Sequence, residues 1–119
     1  MKLLIVDDSL LMRKAVERSL AGKNFAVVDM APDGEEALRI FKEGLHDLVT
    51  MDVSMPKMDG ITCMTEMLKI KKDAKIIIIT SQTDSHTSQE VLEKGAAGVL
   101  GKPFSADQVL EKAKELLGG

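Results

Sequence analysis

Strand-like and helix-like segments alternate along the whole chain, and this alternation restricts the fold more than any other feature. Five apolar runs have the pattern of buried strands. Residues 76–79, four isoleucines in a row, form the strongest of them, because β-branched side chains favour extended backbone. The other runs cover residues 3–6, residues 25–30, a stretch that ends near Asp52, and residues 97–101. Such alternation predicts an α/β fold with one doubly wound, five-stranded parallel sheet and helices on both faces.

Each apolar run is followed by apolar residues at helical spacing. The fourth helix is expected to be short, because it follows a polar stretch that runs to Ser88. Ser105 and Gln108 have the spacing of a capping box, which predicts the start of the fifth helix. The five apolar stripes consist of Met12, Val16 and Leu20; Ala37, Leu38 and Phe41; Ile61, Met64 and Leu68; Val91 and Leu92; and Val109, Leu110, Ala113, Leu116 and Leu117.

The composition fits one domain over residues 1–119 and excludes several classes of function. Hydrophobic residues make up 45% of the chain, so it should fold rather than stay disordered. The net charge of −3 argues against nucleic-acid binding, which needs a basic excess. One cysteine cannot form an internal disulfide, and no apolar run approaches the ~20 residues of a membrane span. The N-terminus has no signal-peptide pattern, so we expect a cytoplasmic protein without membrane insertion.

Charged and polar residues stand at the ends of four of the predicted strands. Asp7 and Asp8 follow the first, Asp52 ends the third, Thr80 ends the fourth and Lys102 follows the fifth. Because ligands bind outside the carboxyl ends of strands in open parallel sheets, these side chains should converge on one crevice. Each residue also has an ordinary interpretation: Asp8 as a helix cap, Thr80 as a strand end, Lys102 as a solvated loop residue. Their combination favours a functional site.

The residue types in this crevice suit phosphoryl chemistry. Three carboxylates that lie close together repel one another, so they should bind a cation or have a raised pKa. Oxygen ligands with several waters are what Mg²⁺ prefers, and a carboxylate can attack phosphorus to form an acyl phosphate. Asp7 and Asp8 would hold the metal, while Lys102 and Thr80 would supply a cation and a hydroxyl to the phosphoryl oxygens.

Four motifs, in this order and at these separations, resemble the response-regulator receiver family of two-component signalling, its chemotaxis type in particular. They are Val6-Asp7-Asp8-Ser9, Met51-Asp52 with Met58-Asp59-Gly60, Thr80-Ser81, and Gly101-Lys102-Pro103-Phe104. The resemblance covers the whole chain. It implies the flavodoxin-like strand order 2-1-3-4-5.

The resemblance also assigns roles to the residues of the crevice. Asp52 would be the phosphoacceptor. Asp8 and Asp52, with the backbone carbonyl of Ser54, would bind Mg²⁺, and Asp7 would act directly or through a water molecule. Thr80 and Lys102 would contact the phosphoryl oxygens.

Further expectations come with the family. The Lys102–Pro103 peptide bond should be cis, which directs the lysine into the crevice. The donor would be a partner histidine kinase, and a target protein would bind the face formed by the fourth helix, fifth strand and fifth helix, where Lys112 could contribute charge. The protein would be a monomer and not a conventional enzyme, since its catalysis would be limited to accepting and slowly losing the phosphoryl group.

One position departs from the family pattern. Receivers often carry Tyr or Phe three residues before the lysine, as part of the signalling switch, and this chain has Val99 there. The departure leaves phosphotransfer untouched and bears on how the signal leaves the domain. Because the sequence ends two residues after Leu117, the last apolar helix position, we expect a stand-alone regulator or an excised receiver without an effector domain.

Two other classes of protein combine parts of this pattern. A phosphohydrolase of the haloacid dehalogenase type also uses a strand-end Asp with Mg²⁺, but it needs a second Asp two residues later, where this chain has Ser54. A flavodoxin-like FMN carrier would need a phosphate-binding loop after the first strand, where Asp7 and Asp8 would repel phosphate.

Three other reactive residue positions have ordinary interpretations. Cys63 lies beside a helical apolar stripe without an evident base, which favours packing over nucleophilic chemistry. His46 and His86 lie in segments interpreted as polar connections and show no metal-ligand spacing. Most of the eight methionines, Met55, Met58, Met64 and Met67 among them, are expected to fill gaps in the core and loops.

Overall fold

Five parallel strands form one sheet in the order β2-β1-β3-β4-β5, in the computed structural model that describes residues 1–23, 25–53, 58–81 and 85–118, without the side chains of 85–87. The strands are β1 (Lys2–Val6), β2 (Val27–Ala31), β3 (Leu48–Asp52), β4 (Lys75–Thr80) and β5 (Gly98–Gly101). Leu3 lies opposite both Val28 and Leu48, which places β1 between β2 and β3. The predicted fold class and strand order are confirmed.

Five helices connect the strands and cover both faces of the sheet. They are α1 (Leu10–Ser19), α2 (Gly34–Gly44), α3 (Gly60–Ile70), α4 (Ser85–Glu93) and α5 (Ala106–Leu117), and a short 3-10 helix (Ala21–Lys23) follows α1. Ser9, Asp33, Asp59 and Ser105 cap the helices that follow them, because each side chain accepts a hydrogen bond from a backbone N–H of the first turn. The capping box of Ser105 and Gln108 is confirmed.

Alternate side chains of each strand point to opposite faces and so build two separate cores. On one face Leu4, Val49 and Ile78 pack against α2, α3 and α4. On the other face Leu3 and Ile77 pack against α1 and α5. The central strands are apolar on both faces, as the continuous hydrophobic runs predicted.

Two predicted boundaries differ from the structure by more than one residue. Helix α4 begins at Ser85, inside the polar stretch that the sequence analysis assigned to a connection through Ser88. Hydrophobic periodicity misses this start because the first turn has no apolar residue. Further along the helix, Gln89 Nε2 donates to Glu93 Oε1 at 3.2 Å. Strand β2 runs from Val27 to Ala31 instead of residues 25–30.

His46 lies in the connection between α2 and β3, as predicted, and the structure shows where its ring packs. Its side chain is fully buried, with the ring stacked on Phe41 and packed against the Gly44 backbone. His46 Nε2 lies 2.7 Å from Asp29 Oδ2 on the edge strand β2. The sequence did not indicate this burial, because it results from the turn after α2, which brings the His46 ring back against that helix. The side chain of His86 lies outside the described residues.

Cys63 has the packing role that was predicted. It is fully buried, and burial raises the pKa of its thiol to about 12, so the reactive thiolate is disfavoured. Met51, Met64 and Met67 are likewise fully buried, as expected for most of the methionines.

Asp47 joins several elements at the end of the sheet away from the acidic residues. Its carboxylate accepts hydrogen bonds from the Lys2 backbone N–H at 2.8 Å and from Lys71 Nζ at 3.2 Å. These interactions, the Lys2 bond first, lower the pKa of Asp47 below its usual value. A carboxylate whose pKa is lower in the folded state contributes stability above its unfolded pKa, and that stability is lost as pH falls through the folded pKa.

Replacing Asp47 by Asn should therefore lower the free energy of unfolding at pH 7 by roughly 1 kcal/mol, since the bonded charge is partly exposed. The difference from the wild type should shrink as pH falls below the usual Asp pKa of 3.8. Urea unfolding at several pH values measures this. Asp73→Asn, at an exposed position, is the matched control. An Asp47 difference that is as large at the acid limit as at pH 7 would contradict the assignment.

Among the described helices, none combines the length and the hydrophobicity that a membrane span requires.

Candidate functional site

Three carboxylates meet at the carboxyl ends of the two central strands β1 and β3. Asp7 and Asp8 follow β1, and Asp52 is the last residue of β3. Each offers a ligand atom within 4.8 Å of the others. Asp7 and Asp52 are buried, with 4% and 5% of their surface exposed, whereas Asp8 is exposed. These three residues, which were predicted to converge, therefore lie together in the structure.

The start of α1 holds Asp7 in place. The Asp7 backbone N–H donates to the Ala31 carbonyl at 3.2 Å, which continues the β1–β2 ladder one residue beyond the strand. Asp7 Oδ1 accepts from the Ser9 backbone N–H at 2.9 Å, and Arg13 Nη1 donates to the Asp7 carbonyl at 2.6 Å. A helix cap and a helix side chain thus orient the acid, and the role of Arg13 was not predicted from sequence.

Lys102 enters the same crevice from the end of β5. Its Nζ lies 3.4 Å from Asp52 Oδ1 and 3.7 Å from Asp7 Oδ2. Its backbone N–H donates to the Thr80 carbonyl at 2.8 Å, which joins the ends of β4 and β5. The Lys102–Pro103 bond is cis, as predicted. Thr80 is buried at the end of β4, the strand between β3 and β5.

One lysine does not compensate for three acids. Burial raises the pKa of Asp7, and the charge of Asp52 and a hydrogen bond with Asp8 raise it further, while the Ser9 N–H and Lys102 oppose the change. The ionised cluster is therefore under strain from desolvation and repulsion. A divalent cation bound among these oxygens would relieve both, so the donor set fits Mg²⁺.

Close backbone contacts hold the chain that leaves Asp52. The Val53 N–H donates to the Ile79 carbonyl at 3.1 Å, and the Gly60 N–H donates to the Val53 carbonyl at 3.1 Å. A Cβ added at Gly60 would overlap the Asp52 carbonyl oxygen, so α3 can begin this close to the site only with glycine. The predicted metal ligand Ser54 lies outside the described residues, as does Met55.

Among the predicted site residues, Asp7, Asp8, Asp52 and Lys102 form one cluster, and Thr80 ends the strand between Asp52 and Lys102. Gly60 belongs to one of the sequence motifs, but its contact with the Asp52 backbone was not predicted. The signal was available in the Asp-Gly pair, since glycine after a loop often marks a close backbone approach.

Comparisons with known proteins agree with this geometry. Residues 3–114 match the family model of the response regulator receiver domain. The chain is 39% identical over 116 residues to the chemotaxis protein CheY of Bacillus subtilis (strain 168), covering 98% of this chain and 97% of the relative. It is 36% identical over 111 residues to the chemotaxis protein CheY of Listeria monocytogenes, covering 93% of each chain.

Among solved structures, the fold is similar to a chain of the CheX-CheY-BeF3-Mg+2 complex from Borrelia burgdorferi. The TM-score is 0.92 at 34% identity, and the match covers 98% of this chain and 89% of that chain.

Proposed function

This chain belongs to the response regulator receiver family, and from that premise we propose that Asp52 accepts a phosphoryl group from a partner histidine kinase in the presence of Mg²⁺. The domain, residues 1–119, would then change its affinity for a target protein. The observation that carries the proposal is the cluster of three carboxylates with Lys102 at the carboxyl ends of β1, β3 and β5. The chain is homologous to CheY proteins, which are chemotaxis response regulators, so phosphorylation-controlled signalling is the function that fits this site.

Asp52, Lys102 and Thr80 would have different roles in the phosphoryl transfer. A carboxylate oxygen of Asp52 forms a bond to phosphorus while the bond from phosphorus to the donor's imidazole nitrogen breaks, and the electron pair stays on the imidazole. Lys102 Nζ, 3.4 Å from Asp52 Oδ1, is close enough to pair with a phosphoryl oxygen once transfer has occurred. The Thr80 hydroxyl would donate to another phosphoryl oxygen. This catalysis is limited to accepting the phosphoryl group and slowly losing it to water.

Asp8, Asp52 and the carbonyl of Ser54 would hold Mg²⁺, and Asp7 would act directly or through water. The bound ion would neutralise charge on the phosphoryl oxygens. Asp8 is exposed, so waters can complete the coordination that Mg²⁺ requires. Asp7 contributes charge from a buried position that Ser9 and Arg13 keep fixed.

Removing Mg²⁺ should abolish phosphorylation by acetyl phosphate, a donor that needs no kinase. We expect one added phosphoryl group per chain with Mg²⁺ and none after treatment with EDTA, because the repelling carboxylates otherwise disfavour an anionic donor. Intact-mass measurement resolves the two states, and restoring Mg²⁺ is the control. Equal incorporation with and without the metal would contradict the proposal.

A target protein would bind the face formed by α4, β5 and α5. The Lys112 side chain lies across Gly98 on this face, with its Cδ 2.9 Å from the position of a Cβ added there, and its Nζ lies 3.6 Å from Glu115 Oε2. The aliphatic part of Lys112 thus covers buried Gly98, and its ammonium group adds charge to this face. The monomeric state and the cytoplasmic location stay predictions.

Val99 bears on how the signal reaches that face. The side chain is half-buried and packs against the core beside α4, and valine has one stiff torsion, so it cannot exchange an exposed ring for a buried one. We expect the signal to leave through backbone shifts between residues 80 and 88, of which 82–84 lie outside the described residues. Amide NMR with beryllofluoride and Mg²⁺ should show these shifts in wild type and, little changed, in Val99→Ala. Their loss in Val99→Ala, with normal phosphorylation, would make the Val99 side chain the switch.

A further inference from the structure

The first turn of α2 lies directly against the end of the connection between β3 and α3. Gly34 is buried, and a Cβ added to it would overlap the Met58 carbonyl oxygen and lie 2.8 Å from Met58 Cβ. The Gly34 carbonyl also accepts a hydrogen bond from Cys63 Sγ at 3.4 Å. The Gly34 backbone therefore contacts both the residue that leads into α3 and the first turns of α3.

These contacts continue to the phosphoacceptor through the backbone. Met58 precedes Gly60 by two residues, and the Gly60 N–H donates to the Val53 carbonyl at 3.1 Å. The Gly60 Cα is so close to the Asp52 carbonyl oxygen that a Cβ there would overlap it. A displacement at Met58 has little room to relax before it reaches the backbone of Asp52, since backbone atoms oppose it at each step.

We propose that Gly34 is a positioning residue for the acidic site. It lets α2 approach Met58 and so fixes the backbone that enters α3 at Gly60, beside the Asp52 carbonyl. This inference rests on the proposed Mg²⁺-dependent function and names a residue on a different helix that sets its efficiency. A side chain at position 34 would displace Met58 and weaken Mg²⁺ binding while leaving the five-stranded fold intact.

The test compares Gly34→Ala with Gly22→Ala. A Cβ at Gly22 meets nothing within 4 Å, so this variant makes the same chemical change without a contact. The chain has no Trp or Tyr, so Mg²⁺ titration is followed by calorimetry, and circular dichroism checks the fold. We expect Gly34→Ala to raise the Mg²⁺ dissociation constant about tenfold, as the loss of an outer-shell support does. Gly22→Ala should match the wild type.

A second pair of variants keeps the inference testable if Gly34→Ala does not fold. Cys63→Ala removes the donor to the Gly34 carbonyl and should weaken Mg²⁺ binding in the same direction but less, and Cys63→Ser, which keeps a donor, should restore it. If the contact is purely structural, folded Gly34→Ala or Cys63→Ala would have a lower melting temperature but an unchanged Mg²⁺ affinity. This result would overturn the inference about Gly34 and leave the proposed function standing. A wild type that binds no Mg²⁺ would overturn the proposed function with it.

Discussion

Asp52→Asn should abolish phosphate incorporation from acetyl phosphate, by on the order of 10³-fold or more, as expected when a nucleophile is removed. The amide has neither the charge nor the nucleophilic oxygen that attacks phosphorus. It has nearly the same shape, and it relieves repulsion among Asp7, Asp8 and Asp52, so the fold should persist. Intact mass after incubation with donor and Mg²⁺ measures the loss.

Asp107→Asn is the matched control for this change, because Asp107 is an exposed acid in the first turn of α5. It should be phosphorylated like the wild type. If Asp52→Asn gains as much phosphate as Asp107→Asn, another residue is the acceptor.

Asp7→Asn should change the stability more than Asp8→Asn does, whereas Asp8→Asn should change the Mg²⁺ affinity more. Asp7 is buried and its pKa is raised, first by burial, so its ionised form opposes folding at neutral pH. We expect Asp7→Asn to raise the free energy of unfolding of the metal-free protein by roughly 1–2 kcal/mol, as relief of a poorly compensated buried charge does. Asp8 is exposed, and its replacement should stabilise less.

For Mg²⁺ the order should reverse, because Asp8 is the proposed direct ligand and Asp7 acts directly or through water. Urea unfolding without metal and calorimetric Mg²⁺ titration of both variants provide the two measurements. Asp8→Asn with Mg²⁺ affinity equal to the wild type would contradict the assignment of ligands.

The sheet and the site could be predicted from sequence because their signals are local. A buried central strand must be apolar on both faces, so the sequence of residues 76–79 directly predicts a strand. An acid at the end of such a strand, like Asp52, indicates a functional role because burying a charge is costly. Parallel strands then bring their ends to one edge. The convergence of Asp7, Asp8 and Lys102 follows from the topology without any knowledge of side-chain contacts.

Three features escaped prediction, and two of them depend on how the chain packs around one residue. The burial of His46 results from the turn after α2, which stacks the ring on Phe41, and nothing in the neighbouring residues signals it. The start of α4 at Ser85 lacks an apolar stripe. Gly34 follows Pro32 and Asp33, residues typical of turns, and only the structure shows that Met58 lies against it. The partner of Gly34 is distant in sequence, so no local pattern could indicate the contact.

The most direct test of the central claim is to locate the phosphoryl group. Borohydride reduces an aspartyl phosphate to homoserine, which marks the acceptor permanently. After incubation with acetyl phosphate and Mg²⁺, reduction and proteolysis, peptide mass spectrometry should find homoserine at position 52 and aspartate at positions 7 and 8. Homoserine at position 7 or 8, with aspartate intact at position 52, would contradict the account.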